Sequence, residues 1–314
     1  MANLLAHAVL LGKAVPTDWH RLAANTARPS PFALENLGLS TNVMTTAESS
    51  SRNLENTKIL DGLTRSVFDC SEKQEAGLKV EGGVRTRLER RTPQPSGDGS
   101  GRPSRLPFGF AEAYAKNVSL SSPLRFATIG ADDPVALHEA TSALVHPQLT
   151  LETGFANGGS AVAIMSALPS HAVHMAIDPF QVLMYNGTGL KGVANSFNSG
   201  LITPGLTFVH VNETAATAMA SLVRAHTCVD LIFMDDGHRF DDTMLELYYA
   251  HRLLKVGGLL VMHDIWMPSV QKTIHWATSN LAFARVKSGM GKKMAFMVKT
   301  QTDHRAWNHF VAFN

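Results

Sequence analysis

The stretch Leu151 to Met165, LETGFANGGSAVAIM, decides how the chain is read. An apolar run ends in Glu152, glycines follow at 154 and 158, and after Ser160 comes an apolar segment with helical spacing. This is the pattern of a buried strand, a glycine loop and a helix start. Glycines let the backbone approach a ligand and adopt φ values that other residues avoid. The first turn of a helix offers unpaired N–H groups to a carboxylate or phosphate.

Downstream, strand-like and helix-like segments alternate. QLTLET, AVHMAID, LTFVHV, VDLIFMD and GGLLVMHD read as strands, and PVALHEATSALV, SAVAIMSAL, ETAATAMASLVRA, DTMLELYYAHRLL and SVQKTIHWATSNL as helices. Such alternation predicts an α/β fold, a doubly wound, mostly parallel sheet with helices on both faces. The last two strands, FARVKSG and KMAFMVK, are joined by a glycine-containing turn, which predicts a terminal antiparallel hairpin. In a sheet of this kind a ligand sits beyond the carboxyl ends of the strands, where the strand order reverses.

The first loop is not the G-x-G-x-x-G of a dinucleotide site. It reads E-x-G-x-x-x-G-x-S, with Glu152, Gly154, Gly158 and Ser160. A carboxylate there suits a ligand with a positive centre, such as an ammonium or sulfonium, which points to S-adenosyl-L-methionine over NAD. Asp178, closing the second strand, can accept hydrogen bonds from both ribose hydroxyls.

With these residues in hand, the chain resembles the class I S-adenosylmethionine-dependent methyltransferases. It looks most like their small-molecule O-methyltransferase branch, the catechol and caffeoyl-CoA type and bacterial relatives. LETGFANGGSAV, HMAIDPFQ, VDLIFMDDGHRFDDTMLELYYAHRLLKVGGLLVMHDIW and PSV carry the resemblance, over about residues 134 to 299. It implies a Rossmann-like, seven-stranded sheet. It also implies that the Gly154–Ser160 loop holds the methionine end of the cofactor, Asp178 the ribose and Glu213 the adenine. Gly159 departs from relatives that carry an aromatic residue there.

FMDDGHRF and VMHDIW follow the fourth and fifth strands, so Asp235, Asp236, His238, His263 and Asp264 reach the same sheet edge. Oxygen and nitrogen ligands there, with a substrate's hydroxyls, suit a divalent cation, Mg2+ or another. The ion would lower a hydroxyl's pKa and orient it. In catechol-type relatives an aspartate follows strand four, and an acid and an amide follow strand five. Asp235 matches the first, while His263 and Asp264 stand at the other two, so the metal set Asp235, His263 and Asp264 is altered. His238 falls where those relatives carry a catalytic lysine, and with Asp235 forms the expected catalytic pair. Asp241 and Asp242 read as helix N-terminal acids, His251 and His275 as structural, and Trp266 and Tyr248 as packing residues, with Trp266 near the substrate.

The sequence reading divides the 314 residues into a largely disordered leader and Arg/Pro/Gly-rich linker at 1–107 and a methyltransferase domain at 108–314. Within the first part, 55–69 reads as one short amphipathic helix; within the second, FGFAEAYAKNV (108–118) reads as a short helix able to cover a site. The net charge of +2 is too mild to argue for a nucleic acid or a membrane surface, so the expected partner is a small-molecule substrate. A homodimer lies within what the resemblance implies. The first residues lack the uninterrupted apolar run of a signal peptide, so a cytoplasmic location is expected over an organellar presequence. The two cysteines show no CxxC spacing, which argues against a zinc knuckle or disulfide scaffold, and Cys228 is expected as a buried thiol. The competing functions are a nucleic-acid methyltransferase, for which the Asn/Asp-Pro-Pro-aromatic motif is missing, and a non-catalytic binding protein of the same fold.

Overall fold

The computed structural model describes residues 41–45, 129–130, 132–286 and 291–313. The segments read above at 55–69 and 108–118 lie outside them, as do most of residues 1–107 and most of the turn before the last strand. The strands are β1 (Thr41–Thr45), β2 (Leu149–Thr153), β3 (Val173–Ile177), β4 (Thr207–Val211), β5 (Val229–Met234), β6 (Leu254–Met262), β7 (Phe283–Val286) and β8 (Ala295–Lys299). The helices are α1 (Asp133–Ser142), α2 (Gly159–Met165), α3 (Thr188–Asn198), α4 (Ala215–Arg224), α5 (Phe240–Leu253) and α6 (Pro268–Asn280).

The strands form one sheet in the order β1-β4-β3-β2-β5-β6-β8-β7. Strands β4, β3, β2, β5 and β6 are mutually parallel, and β8 enters antiparallel between β6 and β7. The seven expected strands and their terminal hairpin are all present. Strand β1 adds an eighth, antiparallel to β4, drawn from the stretch read as leader and linker. It covers backbone groups that would otherwise leave β4 an open edge.

Every residue of β2, β3 and β4 is buried, because helices cover both faces of a parallel sheet. Their near-continuous apolar runs follow from that double burial. Phe155, in the loop after β2, packs its ring 5.4 Å from that of Phe208 in β4, so the loop is rooted in the core. Cys228 is buried just ahead of β5, but it is disulfide-bonded and not the free thiol expected.

Most of residues 186–200 form α3, which is not among the helices read from the sequence above. Leu190, Val193 and Phe197 recur at helical spacing and pack inward. The glycines, serines and asparagines between them have weak helix propensity, which hid the helix.

The strand register positions the site. Thr153 pairs with both Ile177 and Met234, Ile177 with Val211, and Met234 with Met262. The ladder continues one residue further. Gly154, Asp235, His263 and Asp178 donate their N–H groups to Ile177, Thr153, Met234 and Val211 at 3.0 Å each. These four residues therefore leave the sheet side by side, at the reversal between β2 and its neighbours β3 and β5.

Gly154 has φ +81, and a Cβ there would lie 2.2 Å from the Asp235 carbonyl oxygen. The loop after β2 thus rests directly on the loop after β5. Gly200 has φ +75 but open space around its Cβ position. Gly154→Ala is expected to destabilise the fold by about 3 kcal/mol or more, since strain and overpacking combine. Gly200→Ala should cost only about 1–2 kcal/mol, for the left-handed conformation alone. Urea unfolding of both variants checks this, and equal losses would refute the close approach.

Candidate active site

The loop after β2 is fixed by Asp178. One carboxylate oxygen accepts from the Ala156 N–H at 2.8 Å and from the Gln181 side-chain amide at 3.2 Å. The other accepts from the Phe180 N–H at 2.6 Å. Gln181 also donates to the Ala156 carbonyl at 2.6 Å, which holds Ala156 at φ +43. The start of α3 locks on from the other side. A Cβ on Gly158 would lie 2.8 Å from the Gly189 carbonyl, and one on Gly189 2.6 Å from the Ala156 carbonyl.

Glu152 is wholly buried, and its Oε1 lies 3.6 Å from His174 Nε2. Burial pushes the Glu152 carboxyl up, against the opposing pull of His174 and Ser160. His174 is held in turn by Thr150, Nδ1 to Oγ1 at 2.9 Å. Ser160 is buried in the first turn of α2. Glu213 is half-buried beyond β4, further along the edge than Asp178. Of the six residues read as cofactor ligands, Glu152, Gly154, Gly158, Ser160 and Asp178 thus converge on one loop, while Glu213 stands apart.

Beyond β5 and β6, two imidazoles and three carboxylates interleave. His263 Nδ1 lies 3.1 Å from Asp235 Oδ1 and 3.3 Å from Asp264 Oδ1. Its Nε2 lies 3.2 Å from Asp133 Oδ2. His238 Nε2 lies 3.0 Å from Asp264 Oδ2 and 3.7 Å from Asp235 Oδ1. Ligand atoms of Asp235, His263 and Asp264 all fall within 4.8 Å of one another. The turn that makes this possible is local, because Asp264 sits at φ +50 and its carbonyl accepts from the Met267 N–H at 2.9 Å. The hydroxyl of Ser269, at the start of α6, donates to the His238 carbonyl and anchors that loop.

These groups shift one another strongly. Burial alone would lower His263, but Asp133, Asp235 and Asp264 hold it up at about 11. Asp235 and Asp264 raise His238 to about 9 against burial. In return, His238 and His263 hold Asp264 well below the carboxylate range. Asp236 faces the other way. Burial and the charges of Asp178 and Asp242 push it up to about 6. Tyr185, in the turn before α3, is pushed up to about 12 by burial and then by Asp178, Asp236 and Asp235. Two groups with opposed shifts beside one loop are a common mark of a functional site.

A family model described as a methyltransferase domain matches residues 151–265, the span from the strand before the glycine loop to the residue after Asp264. Residues 151–265 are thus a methyltransferase domain. Several solved structures are similar to the methyltransferase. One is an O-methyltransferase of Streptomyces achromogenes, described as involved in tomaymycin synthesis and in complex with S-adenosylmethionine. It is 15% identical, with 63% of this chain and 92% of that chain covered and a TM-score of 0.46. Another is an O-methyltransferase of Bacillus cereus in complex with S-adenosylhomocysteine, at 11% identity, 62% and 93% coverage and a TM-score of 0.47. A third is a methyltransferase of Geobacter sulfurreducens, at 15% identity, 64% and 91% coverage and a TM-score of 0.47. The search of curated proteins finds no match. Among the described residues of the methyltransferase, no helix is long and apolar enough to cross a membrane.

Sequence reasoning missed two residues of the candidate site. Asp133 looks like an ordinary acid at a helix start, and nothing local reveals that it meets His263, 130 residues away. Glu246 shares the inward stripe of α5 with Thr243, Leu247 and Ala250, a signal that could have found it. Two expectations need correction. Trp266 is 64% exposed and is not a packing residue; its indole N–H donates to Asp264 Oδ1 at 2.9 Å. Tyr248 is 49% exposed, and Arg252 covers its ring at 4.0 Å. Asp241 and Asp242 do lie in the first turn of α5, with Arg239 clamped on Asp242 at 2.8 and 3.0 Å.

Glu246 lies buried beneath Asp236 and accepts from the Thr153 hydroxyl at 2.6 Å. Burial, then the charge of Asp236, pushes its carboxyl up to about 8. Its folded pKa therefore exceeds its unfolded value, so its contribution to stability is full at acid pH and falls as the pH rises towards about 8. The slope limit is about 1.4 kcal/mol per pH unit. Glu246→Gln keeps the shape and should flatten that decline. Urea unfolding at pH 5 and 7.5 checks it: the parent should lose more stability than the variant between the two, and parallel losses would place the titration elsewhere.

Proposed function

We propose that this methyltransferase transfers a methyl group to a hydroxyl of a small molecule, with a divalent cation assisting. The observation that carries the reading is the contact of the glycine loop with the acid and imidazole cluster: Gly154 lies against the Asp235 backbone, beside His238 and His263. A donor held by the loop and an acceptor held by the cluster would be neighbours.

S-adenosylmethionine, when bound, supplies an electrophilic methyl group on a positively charged sulfur. The chain offers it the Gly154–Gly158 loop and Ser160 for the methionine end, with Asp178 for the ribose. Asp178 already fixes the loop, and the oxygen that accepts only from the Phe180 N–H retains capacity to accept a further hydrogen bond. Glu152, buried behind the loop, would place negative potential near a positive centre, and Glu213 stands nearest to an adenine further along the edge. A cation held by Asp235, His263 and Asp264 would supply Lewis acidity that lowers the acceptor hydroxyl's pKa. The donor set fits one, with three ligand groups converging from two loops fixed by adjacent strands.

His238 faces that centre from the more open side. In this reading His238, no longer held up at about 9 once the charges of Asp235 and Asp264 are engaged by a cation, takes the acceptor's proton through Nε2 as the oxygen attacks the methyl carbon in line. Asp264 and Asp235 orient its ring, and Asp235 thereby serves both catalysis and the cation. Transfer from a sulfonium neutralises charge, so positioning supplies much of the rate. A hydroxyl acceptor is favoured because it must lose a proton to become a strong nucleophile, and this site is rich in groups suited to accept one.

The test is calorimetric titration of S-adenosylmethionine into the full chain, followed by a panel of hydroxylated small molecules with S-adenosylhomocysteine release as the readout. Asp178→Ala should weaken cofactor binding at least about tenfold, the loss of about 1.4 kcal/mol. His238→Gln should leave that binding intact and lower turnover by about 10²–10⁴-fold. A folded protein that does not bind the cofactor would sink the reading.

A further inference from the structure

Where relatives of the catechol type use oxygen ligands throughout, this chain aims an imidazole into the centre. His263 is only 6% exposed, and its Nδ1 is a buried nitrogen without a hydrogen bond. Yet that nitrogen stands 3.1 and 3.3 Å from two carboxylate oxygens. The distances suit hydrogen bonds, and the directions do not. A ring N–H lies along one line in the ring plane, and neither oxygen lies close enough to that line. The nitrogen and one oxygen of each carboxylate lie within 4.8 Å of one another, close enough to share one ion.

The spacing matches ligands around one ion. Metal bonds of 2.0–2.2 Å leave neighbouring donor atoms about 3.0 Å apart at right angles and about 3.4 Å apart in a tetrahedron. The far side of the ring supports the same conclusion. Asp133 accepts from His263 Nε2 at 3.2 Å, and is itself held by the Gly130 N–H at 2.6 Å. A carboxylate that accepts the N–H of one ring nitrogen fixes the tautomer in which the other, once a bound ion displaces its proton, turns its lone pair outward as a better ligand.

We propose that the Asp235–His263–Asp264 centre takes a first-row transition ion such as Mn2+, Fe2+, Co2+ or Zn2+ in preference to Mg2+, and that Asp133 is the positioning residue that aims His263 at it. This deepens the metal-assisted reading above and rests on it. Mg2+ favours oxygen donors and retains several waters, so an imidazole is a poor exchange for it. Imidazole binds the transition ions well, and carboxylates are common partners beside it. His238 borders the same centre, leaving its imidazole for the acceptor's proton.

The experiment strips the full-length protein of metal with a chelator and titrates it with Mn2+, Co2+ and Mg2+ separately, by calorimetry. Trp266 gives a second readout, because its indole donates to the ligand Asp264 and Co2+ bound there should quench its fluorescence. A Trp266→Phe variant identifies that signal against the remaining tryptophans. One Mn2+ or Co2+ per chain should bind at least about tenfold more tightly than Mg2+. His263→Ala should lose that one equivalent. Asp133→Asn should weaken it by about 10–100-fold, and thermal unfolding should show both variants folded. His263→Asp should shift the preference back towards Mg2+. Equal or tighter Mg2+ binding, an unchanged stoichiometry in His263→Ala, or no binding of any ion would each overturn the proposal. Titration of S-adenosylmethionine into the same samples separates the failures. Retained cofactor binding leaves methyl transfer standing when ion selectivity fails, and its loss in folded protein defeats the parent reading.

Discussion

The level ending of four adjacent strands is the constraint on which the rest of this structure depends. Strands β3, β2, β5 and β6 stop on one line because their registers match at the last paired residue. Each then extends the ladder by one further backbone hydrogen bond. Asp178, Gly154, Asp235 and His263 therefore emerge as neighbours without any long-range side-chain recognition. Slipping one strand by a single residue would turn its side chains to the opposite face of the sheet. It would also bury the wrong member of each pair. The site is thus a property of backbone pairing first and of side chains second.

Above that line, charge is managed by exchange among near neighbours. Two imidazoles sit between carboxylates on the β5 and β6 side, where each stabilises the other's ionised form. On the loop side, the carboxyls of Asp236 and Glu246 lie in drier surroundings and are pushed towards neutrality. The cleft therefore grades from carboxylates held ionised by imidazoles to carboxyls whose ionisation is opposed, within a few residues of one loop. A graded site of this kind can hold a cation and still avoid stacking every acid at full charge.

Much of this was legible in the sequence because it is periodic or local. The strands of the parallel sheet are buried on both faces and read as short apolar runs, and the glycine loop announces itself by composition. The helices α4, α5 and α6 carry clear apolar stripes. Helix α3 did not, since its small and polar residues dilute the same stripe. Strand β1 was missed for a different reason: TNVMT carries one short apolar pair and gains its place only by pairing with β4. At the site, Asp235, His238, His263 and Asp264 were legible as a group, since strand ends in a parallel sheet share an edge. Asp133 was not, because its role depends on where α1 lies against β6. The corrections at Trp266 and Tyr248 share one cause. Large aromatic rings suggest burial by default, and neither a hydrogen bond to an exposed carboxylate nor a guanidinium laid over a ring leaves a mark in the periodicity.

The paired glycines 158 and 189 have a mechanical consequence. Each occupies space that the other's backbone carbonyl, or that of Ala156, would deny to any side chain. The loop after β2 and the first turn of α3 are thereby meshed like two gear teeth. A shift of the loop by the breadth of a methyl group cannot occur without rotating the helix that follows Tyr185. That helix carries the turn from Val182 to Gly187 on its leading end, so the mesh transmits strain from the sheet's centre to its exposed margin. The margin is geared to the loop's position by backbone contact, beside the carboxylate of Asp178 that ties the two.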